Sequence, residues 1–244
     1  EERKRILGAE ATMWSELVTP LTIDSRIWPR TAAIAERFWS AKQVTDVDNM
    51  KKRLKVINFQ LEELGITHIR NRDVILRNIS NHKSIDALKN LSNICEPLKI
   101  YSRNKGGTEY KTFSPFTLFA DACVPDAEDA VIFNKQVALF LKNKDKNSLI
   151  IISHYLKSWS KNHEEFQKIN QNPITNSLKS LSKNLSLISN LIHGSIQNKK
   201  FSKEDLQNGN SIIKQLEEPC QDVELAILDS LNMLIIFCKD NYLK

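Results

Sequence analysis

The stretch LGAEATMWSELVTPLTIDSRIWPRTAAIAERFW, residues 7–39, decides how the fold of this chain is interpreted. Residues 6–13 are apolar or small except for Glu10, and the length of this run fits a buried parallel strand. The run alone would also fit part of a helix. The flanking sequence favours a strand, because a helix start follows at Asp24 or Ser25. Pro29 then falls in the first turns of that helix, where its missing N–H costs least.

Composition limits the class of protein. The 244 residues are 41% hydrophobic, which is enough for a core, and only 6 Gly and 7 Pro suit long helices. The net charge of +6 predicts a basic surface of solvated lysines, since the lysines are scattered rather than clustered with aromatics as nucleic-acid binding requires. No apolar run reaches the roughly 18–20 residues of a membrane span.

Beyond residue 40 the apolar spacing is helical. One helix is predicted between a cap at Thr45 or Asp46 and an end at Gly65, and two more over residues 73–81 and 84–93. From Pro125 onward the pattern predicts only helices, five in number, with starts at Asp126, Leu149, Pro173, Ser202 and Val223. The chain is therefore expected to be mainly α, with an all-helical C-terminal extension over residues 125–244 and a helical connecting region over residues 71–124.

Three spaced blocks carry a family resemblance: GAEATMWSE at residues 8–16, WPR at 28–30 and AERFW at 35–39. Together they resemble the β-N-acetylhexosaminidases of glycoside hydrolase family 20. The resemblance implies that residues 1–70 form the final strand and helices of a (β/α)8 catalytic barrel. Most of the catalytic domain would then precede this sequence. Relatives are commonly periplasmic or secreted, which is the location the resemblance implies.

Two residues are expected to bind substrate. Trp14 and Glu16 follow the predicted strand, and barrel active sites lie at the C-terminal ends of strands. A Trp ring offers a flat apolar face to a sugar, and a carboxylate two residues later points to the same side of an extended chain. Spacing alone would favour a core Trp beside a surface Glu. The resemblance implies that Trp14 lines the pocket and that Glu16 binds hydroxyls at the far side of the ring.

Four further motif residues are expected to be structural: Glu10, Arg30, Glu36 and Arg37. A carboxylate inside a buried strand must find partners, and arginines of the adjoining helix are natural ones.

The catalytic pair itself is expected to be absent from this chain. Family 20 uses the substrate's own acetamido oxygen as nucleophile, assisted by an adjacent Asp-Glu pair, and the sequence contains no Asp-Glu dipeptide. We therefore predict no catalytic residue here and no activity of the chain alone. The full enzyme would remove terminal N-acetylglucosamine or N-acetylgalactosamine from glycans without a metal or organic cofactor. Neither a C-x-x-C nor an H-x-x-x-H pattern occurs, and disulfides between the four cysteines stay open.

An alternative is a non-enzymatic helical interaction module that has inherited the N-terminal blocks without using them. A reading frame that continues upstream with an adjacent Asp-Glu pair would support the enzyme. A start codon close to Glu1 would favour the module.

Overall fold

The computed structural model describes residues 5, 7–15, 18–99, 118–169 and 171–243. The chain divides into two compact units, Glu1–Val74 and Ile75–Lys244. The finer three-part division expected from the sequence stays a prediction.

The first unit is helical where it is regular. Its elements are α1 (Ile23–Ile27), α2 (Arg30–Trp39), α3 (Val47–Glu63) and the start of α4 (Arg70–Ile79), which runs across the boundary between the units. Of the strand expected over residues 6–13, the described residues 7–13 lie in neither a strand nor a helix. A parallel strand obtains its hydrogen bonds from neighbouring strands, and the described part of this unit contains none.

The helix expected from Asp24 or Ser25 is broken into α1 and α2. Trp28 is extended, with φ −104° and ψ 149°, and is joined to Pro29 by a cis peptide bond. Proline has no N–H for the helical ladder, and the residue before it is disfavoured in helical geometry. The predicted helix therefore starts anew at Arg30.

Helix α3 has the ends that the sequence predicts. The Asp46 carboxylate caps its start by accepting from the backbone N–H of Asn49 at 2.9 Å. Gly65 follows its end with φ +93°, a conformation that side chains disfavour.

The second unit holds a dense apolar core. Its helices are α5 (Asp86–Ser92), α6 (Leu118–Ala122), α7 (Glu128–Asn143), α8 (Lys146–Gln167), α9 (Pro173–Asn198), α10 (Lys203–Glu217) and α11 (Leu228–Tyr242). Helices α8 and α9 pack along each other, and the core includes the fully buried Phe133 and Trp159, whose ring centroids lie 4.8 Å apart. Aromatic pairs at this distance add to the burial of apolar area.

The predicted caps of α9 and α10 are confirmed. Asn172 accepts from the backbone N–H of Ile174 and Thr175, and the Thr175 hydroxyl completes a capping box. Ser202 and Asp205 form the second box. These reciprocal bonds satisfy backbone donors that have no partner inside the helix.

The extension is not all-helical, so that prediction is wrong. Strand β1 (Cys95–Pro97) pairs antiparallel with β2 (Val223–Leu225), with Cys95 opposite Leu225. The backbone N–H of Ala226 also donates to the Ile94 carbonyl at 2.9 Å. The helix expected from Val223 therefore begins only at Leu228. Strands of three residues are too short to show alternation, and each needs a partner that is remote in sequence.

Within the described ranges, no helix combines the length and the apolar character that crossing a bilayer requires.

Candidate functional site

Trp14 stands out in the segment that precedes α1. It is 79% exposed, and Leu7 at the start of the same segment is completely exposed. Glu16, the other expected substrate-binding residue, lies outside the described residues, so the structure does not place it beside Trp14. Glu10 is exposed in the same segment. Its structural role stays a prediction, because only a strand covered on both faces would bury this carboxylate.

Glu36 on α2 pairs with an arginine of α3. Its carboxylate accepts from both terminal nitrogens of Arg53, with the Nη2–Oε1 distance at 2.9 Å. This two-pronged hydrogen bond lowers the pKa of Glu36, with the charges of Arg53 and Arg37 adding to the effect. Glu36 thus makes a contact that joins two helices.

Arg37 holds the turn between α2 and α3. Its guanidinium donates to the carbonyls of Ser40 at 3.2 Å, Ala41 at 2.7 Å and Val44. A planar fork of five donors suits several carbonyls at once. Arg30, the fourth motif residue expected to be structural, is the exposed first residue of α2.

A polar network that the sequence did not reveal ties the ends of this unit together. The Asp24 carboxylate accepts from the backbone N–H and hydroxyl of Thr67 at 2.7 and 2.8 Å. The amide of Asn71 donates to the Leu21 carbonyl at 3.1 Å. A local sequence pattern does not predict these bonds, because the bonded residues lie more than forty positions apart. The sequence shows only that polar residues interrupt the apolar pattern.

His68, the residue after Thr67, is only 5% exposed. Its Nε2 lies 3.0 Å from Asn58 Oδ1, an oxygen that can only accept, so Nε2 carries the proton. Nδ1 lies 3.6 Å from a carboxylate oxygen of Glu62. Burial lowers the pKa of His68, although the charges of Glu62 and Asp24 act in the opposite direction. His68 is therefore neutral and buried, and its contact with Asn58 indicates a role in structure rather than in catalysis.

A groove of about 500 Å³ lies between α2 and α3. Most of its lining is apolar or small, and the Glu36–Arg53 pair borders it; the other lining residues are Ala32, Ala33, Met50, Leu54, Val56, Ile57 and Gln60. The groove contains no arrangement of nucleophile, base and orienting group, so its residues are suited to packing rather than to chemistry.

Metal chemistry has no support in the geometry of the described ranges, which contain no cluster of three or more His, Cys, Asp or Glu able to hold an ion. Three of the cysteines are buried, and Cys220 is partly exposed.

Comparison with known proteins connects these residues to a family. The family model described as glycosyl hydrolase family 20, catalytic domain, matches residues 1–42. This range contains all three sequence blocks, Trp14 and helix α2.

The chain is similar to several named relatives. Pig beta-hexosaminidase subunit beta is 41% identical over 66 residues, which are 27% of this chain and 12% of the relative. The chitooligosaccharidolytic beta-N-acetylglucosaminidase of Ostrinia furnacalis is 42% identical over 66 residues, again 27% of this chain and 11% of the relative. The X-ray structure of Flavobacterium johnsoniae chitobiase superposes with a TM-score of 0.88 and is 47% identical. That match covers 96% of this chain and 36% of the chitobiase chain.

These matches agree on one class, the glycoside hydrolases. Within that class, residues 1–42 match the family 20 catalytic domain, and the longer match is to a chitobiase. The chain spans about a third of the chitobiase chain, and its matches cover about an eighth of the curated relatives.

Proposed function

We propose that this chain forms the C-terminal part of a β-N-acetylhexosaminidase, an enzyme that hydrolyses terminal N-acetylglucosamine or N-acetylgalactosamine residues. In this proposal the first unit completes a (β/α)8 catalytic barrel, and the second unit is the extension that follows it. The observation that carries the proposal is the similarity to the chitobiase, because 47% identity extends over 96% of the chain rather than over the motif blocks alone.

Trp14 and Glu16 supply one wall of the sugar pocket in this proposal. The exposure of Trp14 supports its role, because a largely exposed indole is available to a sugar ring. Glu16 would accept hydrogen bonds from the hydroxyls of that ring, and a charged acceptor makes these bonds stronger. Glu10, Arg30, Glu36 and Arg37 would hold the surrounding helices in place.

The chemical step is proposed to follow the substrate-assisted route of the family. The acetamido oxygen of the sugar attacks the anomeric carbon, while a carboxylic acid protonates the departing oxygen. Water then opens the cyclic intermediate, and the configuration at the anomeric carbon is retained. The acid and its neighbouring carboxylate would come from an adjacent Asp-Glu pair, which this sequence does not contain.

The test is a chimera in which residues 1–244 replace the matching part of the Flavobacterium johnsoniae chitobiase. We expect the chimera to release the chromophore from an aryl N-acetylglucosaminide, and the 244-residue chain alone to release none. Trp14→Ala in the chimera should raise KM and lower kcat/KM, because the ring-stacking face is lost. A folded chimera without turnover would favour the helical interaction module instead. Turnover by the 244-residue chain alone would refute the prediction that this chain lacks the catalytic residues.

A further inference from the structure

Lysines that are scattered along the sequence meet at one end of the second unit. Helices α8 and α9 are antiparallel, and the Ser186 hydroxyl of α9 donates to the Trp159 carbonyl of α8 at 2.7 Å. Continued along both helices, this register brings Lys146, the first residue of α8, beside Lys199, the residue that follows α9. The turn between α7 and α8 and the turn between α9 and α10 therefore share one end of the helical bundle.

The end of α11 reaches the same place. Phe237 of α11 packs on Phe140 of α7 with ring centroids 5.0 Å apart, and the Lys144 ammonium lies 4.6 Å from the centroid of the Phe237 ring. The backbone N–H of Phe201, just after α9, donates to the Tyr242 carbonyl at 3.0 Å. We call this surface the lysine end, and it consists of residues 142–146, 199–205 and 239–243.

The lysine end carries an excess of positive charge. Two of its four acidic residues serve helix caps, because Asp145 accepts from the backbone N–H of Ser148 and Asp205 accepts from that of Ser202. The other two are Glu204 and Asp240. Seven exposed lysines outnumber these four carboxylates: Lys142, Lys144, Lys146, Lys199, Lys200, Lys203 and Lys239.

Helix stability does not explain several of these lysines. Lys146 and Lys203 are the first residues of α8 and α10, where a cation opposes the positive end of the helix dipole. Lys144 and Lys199 follow α7 and α9 with φ values of +53° and +50°, a left-handed conformation that favours glycine. Residues that contradict local preferences in this way are expected at functional sites.

Exposed aliphatic side chains border the lysines. Met233 and Ile236 are each 48% exposed and lie one turn apart on α11, and Leu243 just beyond this helix is exposed as well. Lys239 lies between them in the sequence of the same helix. An anionic lipid surface suits this combination, because its headgroups attract the lysines and its interface accepts the aliphatic groups. A polyanionic chain would engage only the charges.

We propose that the lysine end and the exposed face of α11 beside it bind the surface of an anionic membrane. The contact is peripheral, with the lysines at the headgroups and the aliphatic side chains at the interface. Attraction between lysines and an anionic surface falls off within a Debye length, so the binding should weaken as salt is added. This inference goes beyond the proposed function and does not depend on it, since it uses residues of the second unit only.

Vesicle co-sedimentation tests the proposal with the 244-residue chain. One set of vesicles contains phosphatidylcholine alone, and the other contains equal amounts of phosphatidylcholine and phosphatidylglycerol. At neutral pH and low salt we expect binding to the anionic vesicles to be about tenfold stronger or more, and to be lost at about 0.5 M NaCl. Equal binding to both sets would overturn the proposal, because exposed apolar residues elsewhere would then explain the binding.

Removal of charge at the lysine end is compared with an equal removal elsewhere. The test variant carries five substitutions: Lys144→Gln, Lys146→Gln, Lys199→Gln, Lys200→Gln and Lys203→Gln. The control variant has glutamine in place of five exposed lysines farther along α8, α9 and α10: Lys157, Lys161, Lys179, Lys183 and Lys214. The test variant should bind the anionic vesicles about tenfold more weakly or less, and the control variant should keep its binding.

A smaller variant is available if the fivefold one does not fold. Lys146→Gln combined with Lys203→Gln removes two cations from helix N-termini, a change that should not destabilise the helices. Equal losses of binding in the test and control variants would overturn the proposal, since binding would then follow net charge alone.

A soluble polyanion is the competing partner, and a single-stranded oligonucleotide serves as its probe. Ile236→Ser should weaken binding to the anionic vesicles and leave binding to the oligonucleotide unaltered, because only the membrane contact uses the aliphatic side chain. Binding of the oligonucleotide through the lysine end, without sedimentation with anionic vesicles, would overturn the membrane proposal.

Discussion

Trp14 illustrates what single residues contribute to this protein. Its proposed role in the sugar pocket rests on the spacing of the motif blocks, and the described residues of the strand expected before it are not in a strand. The contacts of Glu36 and Asp24 could not be predicted. Their partners, Arg53 and Thr67, are 17 and 43 positions away, and nothing in a local pattern reports contacts at that distance. Motifs therefore predict the pocket residues, and the structure adds long-range bonds that the motifs do not predict.

Glu16→Gln tests the proposed pocket at this scale. In the active chimera the substitution should lower kcat/KM about ten- to a hundredfold, because a hydrogen bond to a charged acceptor is worth about 1.5–3 kcal/mol. Steady-state kinetics with an aryl N-acetylglucosaminide measure the effect. Glu63→Gln is the matched control, an identical change on an exposed position of α3, and should leave kcat/KM unaltered. Equal values for both variants would remove Glu16 from the site.

At the scale of elements, helix boundaries were predictable wherever a side chain caps them. Asn172 and Ser202 predict the starts of α9 and α10, because a capping bond joins residues within one helical turn of each other in sequence. The pairing of β1 with β2 was not predictable from the sequence. Each strand has only three residues, and the two strands are separated by most of the sequence of the second unit. Pro29 marked a real boundary, but it separates two helices instead of opening one.

Asn172→Ala should destabilise the second unit. The substitution removes the cap of α9 and also the bond from the Asn172 amide to the Ile79 carbonyl at 2.8 Å. We expect the free energy of unfolding to fall by about 1–2 kcal/mol, at the upper end of values for N-cap loss. Urea titration followed by circular dichroism measures it. Asn176→Ala, one turn later on an exposed position, is the control and should have little effect. Equal losses in the two variants would contradict the capping role.

For the whole molecule, the two units differ in how completely they bury their apolar residues. The second unit encloses its core aromatics, including Phe119 and Phe166, whereas the described part of the first unit buries one apolar side chain, Leu61. A sequence pattern predicts which residues share a helical face, but not whether another element covers that face. For this reason α3 was predicted correctly as a helix, and the exposure of its apolar residues was not.

Stability should depend on pH in a definite direction. Burial lowers the pKa of His68, His163 and His193, and nearby lysines, Lys179 and Lys183 for His163 and Lys157 for His193, lower it further. The unfolded chain takes up these protons near about pH 6.5, whereas the folded chain binds them only at lower pH. Stability is therefore greatest above that value and falls as the pH decreases through it.

The urea midpoint, followed by circular dichroism between about pH 8 and pH 5.5, measures this dependence, because carboxylates remain ionised over that window. His163→Gln should flatten the curve, because one of the three groups is removed. A midpoint that rises on acidification would refute the assignment.

The bonds of Arg37 have a consequence for how this protein tolerates change. Its guanidinium reaches only backbone oxygens in the turn after α2, at residues 40, 41 and 44. Every amino acid carries that oxygen, so substitutions at these three positions leave the acceptors in place. Arg37 thus supports the turn from outside it through bonds that do not depend on the identity of residues 40, 41 and 44, which can diverge without losing them.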